Sequence, residues 1–314
     1  MKNFLVYLSL GLTLFLTGCS SEDNTFSTPE EEVAQSKTIT IAVGMPETSS
    51  KSRVNFDDAS RTFTWDDGDC LTVLGYGKDG YIGSSDFNLT SGGGQKSATF
   101  IGKTVAGATE YVVYYKTPNL SFKDQSNGEN LAVMSYEGQT QNTRRTTAHL
   151  KGYLFLQSER MAAENFEKGK FKLKVENSIM RFNIQSAPAD MGRIESLEWE
   201  NNMGTPDAHA TALALVSTDM DGQIDPFEDQ GSTTVPFPLN ARQSDEIVVY
   251  LCFDPEAMEL KAKQTLNVTF QGSRKKYRVN VLTGGMTYQK GYRYRATISM
   301  TPGNGVLSNW QEVQ

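Results

Sequence analysis

The sequence predicts an all-β protein of two tandem β-sandwich domains, and three observations carry that prediction. Short runs of alternating apolar and polar residues recur along the chain, split by clusters of Gly, Asn, Asp and Ser, as in antiparallel sandwiches. Helical periodicity is scarce, and no repeat of roughly 20–50 residues stands out, which argues against a solenoid or a propeller. A length of 314 residues favours two domains over one, and 38% hydrophobic with 10% aromatic residues is enough for packed cores.

The chain opens with Met1-Lys2-Asn3, an apolar run from Phe4 to Leu16, and then Leu16-Thr17-Gly18-Cys19. A short basic start, an apolar core and small residues before a cut describe a secretory signal peptide. The run is too short for a spanning helix, which needs about 20 apolar residues. Its ending resembles a bacterial lipobox, in which the cysteine thiol is acylated and the chain is cut just before it. Residues 1–18 are therefore expected to be removed and Cys19 to carry palmitate or a similar acyl group. At about 0.8 kcal/mol per buried CH₂, two or three such chains hold a protein on a membrane. Residues 19–36 are acidic and poor in apolar side chains, too poor to bury a core, and read as a flexible leash with a reach of roughly 20–25 Å. Acidic residues directly after the lipidated cysteine resemble the export signals of some Gram-negative lipoproteins. The expected location is the outer membrane, facing the cell surface.

The first sandwich is expected over residues 37–169. In Thr38-Ile39-Thr40-Ile41-Ala42-Val43 the period is two, which puts Ile39, Ile41 and Val43 on one face and Thr38, Thr40 and Ala42 on the other. Which face is buried stays open. A polar loop from Pro46 to Arg53 follows, and Thr62-Phe63-Thr64-Trp65 then leads through the turn Asp66-Asp67-Gly68-Asp69 into Cys70–Tyr76. Residues 97–101, 111–115, 131–136 and 152–157 continue the series, with Gly92-Gly93-Gly94 and Asn127-Gly128 as turn signals. Residues 158–168 are the best helix candidate, and the polar turn around Gly169 marks the domain boundary. The second sandwich, 170–314, repeats the pattern at 171–175, 179–185, 194–199, 210–216, 235–239, 247–253, 265–270, 275–281 and 292–300. The end reads as a loop with a short run, Val306-Leu307, and Trp310.

Charge and composition exclude several functions. A formal charge of −7 argues against a nucleic-acid binder, whose footprint is a basic patch. His149 and His209 have no histidine or cysteine partner at metal-ligand spacing and read as ordinary polar positions. No nucleophile elbow, P-loop or zinc-protease helix is present, so neither an enzyme nor a cofactor is expected. Asp219, Asp221 and Asp225, with Glu228 and Asp229 after them, gather carboxylates in a turn. An EF-hand loop needs its glycine sixth, whereas Gly222 falls fourth from Asp219, so a solvated acidic loop is the reading preferred over a calcium site. Tyr76, Tyr81, Tyr111, Tyr114 and Tyr115 read as the packing of a sheet in preference to an exposed sugar-stacking surface. Cys70 and Cys252 sit in apolar strand-like runs; buried free thiols in separate domains are favoured over a disulfide between them.

Taken together, the lipobox, the acidic leash, the two sandwiches and the strand-plus-tryptophan tail resemble the fimbrillin family, the subunits of type V or donor-strand pili. The local matches are Lys37–Val43 followed by Ser49-Ser50-Lys51-Ser52-Arg53-Val54-Asn55-Phe56, Phe63-Thr64-Trp65-Asp66-Asp67-Gly68-Asp69, and Gly291-Tyr292-Arg293-Tyr294-Arg295-Ala296-Thr297-Ile298. The resemblance implies transthyretin-like sandwiches of Greek-key type and a non-enzymatic role in a fimbrium. It further implies a cut after an arginine in the first loop, here Arg53, with Lys51 and Arg61 as substitutes. The anchor and the strand Thr38–Val43 would then leave a hydrophobic groove, to be filled by the tail of another subunit through Val306, Leu307, Trp310 and Val313. The physics is β-augmentation, in which backbone bonds supply affinity and alternate side chains fill pockets. The contact is head-to-tail and propagates as a filament. Expected partners are other pilus subunits, the outer membrane through the lipid, and a host protein or glycan in cell adhesion. The alternative is a monomeric surface lipoprotein that binds a glycan or host ligand. Stalk, tip and anchor roles stay open.

Overall fold

The computed structural model describes residues 35–46, 64–125, 128–136, 138–141, 147–185, 192–202, 209–210, 213–216, 233–236, 247–255, 263–272, 276–281, 288–301 and 304–312. All of them belong to one compact unit, Ala34–Gln314; Met1–Val33 is a separate one. Cys19, Lys51, Arg53, Arg61, Asp219, Asp221, Asp225 and Val313 lie outside the described residues.

The protein is all-β, with sandwich-like packing of its sheets. In chain order the strands are β1 (Thr38–Gly44), β2 (Cys70–Gly77), β3 (Gly80–Ser91), β4 (Ser97–Lys103), β5 (Glu110–Tyr115), β6 (Leu120–Asp124), β7 (Asn130–Ser135), β8 (Leu156–Gln157), β9 (Met161–Ala162), β10 (Lys170–Lys172) and β11 (Lys174–Val175). They continue as β12 (Ser178–Gln185), β13 (Gly192–Asn202), β14 (His209–Ala210), β15 (Leu213–Val216), β16 (Thr233–Pro236), β17 (Ile247–Phe253), β18 (Lys263–Gly272), β19 (Lys276–Val281), β20 (Arg293–Thr301) and β21 (Asn304–Glu312).

The largest sheet runs β10-β1-β4-β3-β2-β5-β8-β11, with β9 added on β5. Its two ends, β10 and β11, are consecutive pieces of one run that breaks at the buried Leu173. The sheet therefore curls back on itself into a barrel-like form, and Leu173 donates its N–H to the Gly44 carbonyl at 3.1 Å. β2 and β5 are buried on both faces; a second sheet, β15-β7-β6, packs on β5, where Tyr114 meets Phe122 of β6 edge-on at 5.1 Å. The third sheet is β17-β12-β20-β21, and the fourth is β14-β13-β18-β19 with β16 on β13. Strands from the second half thus enter the sheets of the first, β10 beside β1 and β15 beside β7.

Four expectations are corrected. Residues 158–168 hold only one helical turn, α1 (Ala163–Glu167), because the backbone of Met161 and Ala162 pairs with β5 and the chain turns at Gly169. Residues 152–157 are not one strand: Ala148–Tyr153 is a 3₁₀ turn, and β8 follows it. Its carbonyl at Gly152 accepts the Asn119 amide at 2.9 Å, and its His149 reaches β17. The tail is not a loop with a short run but the nine-residue strand β21, paired antiparallel to β20. Cys70 is half-buried, whereas Cys252 is fully buried; both are free thiols, and burial raises the Cys252 thiol far above its ordinary value.

His149 donates Nε2–H to the Tyr250 carbonyl at 3.0 Å, and its buried Nδ1 meets no partner among the described residues. Burial holds the imidazole below the ordinary value of 6.5, against the opposing effect of that bond. The unfolded chain then takes up a proton below pH 6.5 that the native state resists. The contribution of this group is full above that pH and is lost as pH falls through and below it. The urea midpoint is expected to fall between about pH 7.5 and about pH 5.5, and to fall less in His149→Gln, which keeps a donor without the titration. Equal acid sensitivity in both proteins would contradict this.

Candidate functional site: the first strand and its seat

Strand β1 arises from the strict alternation of its β-branched residues, and packing selects the isoleucine face. Ile41 and Val43 are fully buried, Ile39 is half-buried against the same core, and Thr38 and Thr40 face solvent. Each fully buried aliphatic side chain stabilises by about 1.5–3 kcal/mol relative to exposure. Along one edge β1 pairs antiparallel with β4 over its whole length, from Thr38 opposite Lys103 to Gly44 opposite Ser97. Along the other it pairs parallel with β10 over Ala42–Gly44 only, so just its C-terminal half is held from both sides among the described residues.

Three contacts lock it further. Ala42 donates its N–H to the Gly169 carbonyl at 2.6 Å. Gly169 has φ +67°, and a Cβ there would lie 3.2 Å from the Thr40 carbonyl and 3.3 Å from the Ile41 Cα, so the turn that presses on β1 requires glycine. Lys37, just before the strand, bonds through its N–H to Thr104 Oγ1 at 2.9 Å and through its ammonium to Glu167 at 2.6 Å. The ion pair is half exposed and adds little.

The floor of the seat is Trp65. It is fully buried, donates Nε1–H to the Val43 carbonyl at 3.2 Å, and packs edge-on against Phe100 at 4.8 Å and Tyr115 at 6.1 Å. Beneath it the turn Asp66–Asp69 folds back, with Gly68 at φ +86° and the Asp66 N–H donating to Asp69 Oδ2 at 2.7 Å. The buried Asp69 accepts the Tyr115 hydroxyl at 3.0 Å, and Lys151 bridges Asp69 (2.8 Å) and Asp66 (2.9 Å). Burial first, and then the Asp69 charge, push the Tyr115 phenol well above its ordinary value. Strand, indole and ionic turn form one connected support. Sequence reasoning places Asp69 and Gly169 in turns but misses their support of β1, and it misses Lys151 altogether. The Phe63–Asp69 match held the signal for Asp69; the contacts of Lys151 with Asp69 and of Gly169 with Thr40 and Ile41 span long sequence distances and have no local signature.

The predicted tyrosine packing is observed: Tyr76, Tyr111, Tyr114 and Tyr115 are buried, and Tyr81 meets Tyr76 edge-on at 5.9 Å. Among the described residues no group of His, Cys, Asp or Glu is placed to hold a metal. The described part of the candidate tail, Val306, Leu307 and Trp310, lies on β21, where Val306 pairs with Ser299 and Leu307 with Ile298. It is the edge of the third sheet, and the structure does not bring it to β1.

This all-β fold has a counterpart among solved structures. No protein-family model and no curated protein matches the chain. A candidate cell adhesion protein from Bacteroides uniformis shares its fold, with a TM-score of 0.52 at 12% identity over 87% of this chain and 97% of that one. A second candidate from Bacteroides ovatus gives 0.49 at 12% identity over 89% and 97%. The tip fimbrial protein Mfa3 from Porphyromonas gingivalis, truncated at its C-terminus, gives 0.41 at 11% identity over 89% and 100%. At 12% identity the likeness to the Bacteroides uniformis protein shows a shared fold.

Proposed function

We propose that the chain is a non-enzymatic pilus subunit or pilus-associated adhesin. In this reading it is exported as a lipoprotein through Cys19 to the cell surface and assembled by strand exchange after its first strand is removed. The observation that carries the reading is the position of β1: its apolar face is core, yet its only covalent link to the rest of the fold runs through residues 45–64, which contain Lys51, Arg53 and Arg61. A cut there leaves β1 held by non-covalent contacts alone. Its departure would strip the Trp65 N–H of its acceptor and open a groove along β4, a site shaped for an incoming strand. The candidate donor, Val306 to Gln314, would have to leave β20 to act in another copy, so assembly exchanges one pairing for another. The two sandwich domains, 37–169 and 170–314, would then lend edge strands to one another. The fold shared with the candidate cell adhesion protein supports the adhesive part of this reading.

Limited digestion with trypsin, followed by mass spectrometry and sizing, tests it. The expected result is an early cut at Lys51 or Arg53, loss of residues 38–44 from the remaining fragment, and growth of larger species. A cut protein that keeps its first strand and stays monomeric would refute strand exchange.

A further inference from the structure

The third sheet is apolar on one face and basic on the other. Met180, Phe182 and Ile184 of β12 share the buried face with Tyr294, Ala296 and Ile298 of β20. Alternation therefore turns Arg181 and Arg295 to the opposite face, and the register sets them side by side. Such neighbours stand about 4.8 Å apart and point the same way. Like charges so placed repel. The chain as a whole carries a charge of −7, yet β12, β17 and β20 contain no acidic residue. Arg293, two residues before Arg295, is 6% exposed and too deep to meet a ligand.

The two arginines are held differently. Arg181 donates Nε–H to Asn183 Oδ1 at 3.0 Å, and its guanidinium lies 5.8 Å from the centre of the Tyr250 ring. Tyr250 is buried, and Gln139, Gln141 and His149 close the outer edge of its strand. Arg295 is partly exposed, but its Nε–H is buried and meets no acceptor among the described residues. An unmatched donor on a charged group is costly. A planar oxyanion bound side-on by a guanidinium takes the Nε–H together with one terminal N–H, which is the acceptor this donor lacks. The next two rungs pair Asn183 with Thr297 and Gln185 with Ser299, all amides and hydroxyls.

We propose that Arg181 and Arg295 bind the carboxylate or sulfate of an acidic sugar, with Thr297, Gln185 and Ser299 placed for the neutral hydroxyls beside it. A polyacidic peptide would find no further accessible cation on those rungs, whereas a sugar with one charge brings hydroxyls to them. The inference gives the adhesive part of the proposed function a ligand class and rests on that reading for its role. The site lies in a different sheet from β1, so binding is measured on the uncut chain.

Titration of the full chain with two disaccharides tests it, one sulfated without a carboxylate and one with a uronate carboxylate without sulfate. Saturable binding of at least one is expected, weakening as salt rises, and the tighter of the two identifies the oxyanion. Arg295→Gln is expected to bind about tenfold more weakly or worse, and Arg295→Lys, which keeps the charge and loses the fork, nearly as weakly. If the Arg295 variants do not fold, Arg181→Gln is expected to show the same loss. No saturable binding of either disaccharide, or unchanged binding in folded variants, would overturn the site. A triglutamate peptide that binds as tightly as the disaccharides would overturn the sugar as its ligand. Tryptic loss of the first strand is read separately and is unmoved by any of these outcomes.

Discussion

Replacing Trp65 by alanine is expected to cost about 3–5 kcal/mol of folding stability and to free the first strand. The indole is fully buried between Phe100 and Tyr115, so truncation empties a large volume that a closed sheet cannot collapse to fill. The same change removes the donor from the Val43 carbonyl. Trp65→Phe separates the two effects, because it keeps most of the ring and loses the N–H; the unpaired carbonyl alone is expected to cost about 1 kcal/mol. Urea denaturation reads the stability, and the rate of tryptic loss of residues 38–44 reads the hold on β1. A Trp65→Ala protein less than about 1 kcal/mol below the parent would show that the indole is not the floor of the seat.

Asp69→Ala is the second large effect, expected at about 2–4 kcal/mol. The carboxylate is buried at 4% exposure and serves three donors: the Tyr115 hydroxyl, the Lys151 ammonium and the Asp66 N–H. Removing it leaves a phenol and an amide without acceptors. Lys151 keeps Asp66 and is one-third exposed, which limits its share of the loss. Asp69→Asn still accepts from Tyr115 but no longer neutralises Lys151, and is expected to cost about half as much. Because Asp69 supports the turn under Trp65, both variants are also expected to lose the first strand faster to trypsin. Stability lost with no change in that rate would separate the ionic turn from the seat.

The legible and illegible parts of this fold divide along sequence distance. The strand at 38–43 is legible because its alternation is strict. Its buried face is not, since threonine and isoleucine are equally good strand formers and only the core around Trp65 chooses between them. The turn Asp66–Asp69 is legible from its Asp-Gly chemistry, whereas the ion pair to Lys151 that gives it weight is not. Residues 152–157 look like a strand by apolar content, but the 3₁₀ turn Ala148–Tyr153, in which His149 bonds to Tyr250 and Lys151 to Asp69, takes their first two residues. The tail reads as a loop because Gly303, Gly305 and Asn309 interrupt it; pairing with β20 overrides that local preference. Gln139 and Gln141 have no signature at all, since their partners lie on β17.

The closed sheet has a temporal consequence. β1 is the first strand to be synthesised, but its parallel partner Lys170–Lys172 comes only after the rest of the sheet except β11 has been made. Closing so long a loop is slow, and a parallel pairing of distant segments has little local help. Closure of the sheet on the second side of β1 therefore waits for residues 170–172, although its pairing with β4 can form as soon as residues 97–103 are made.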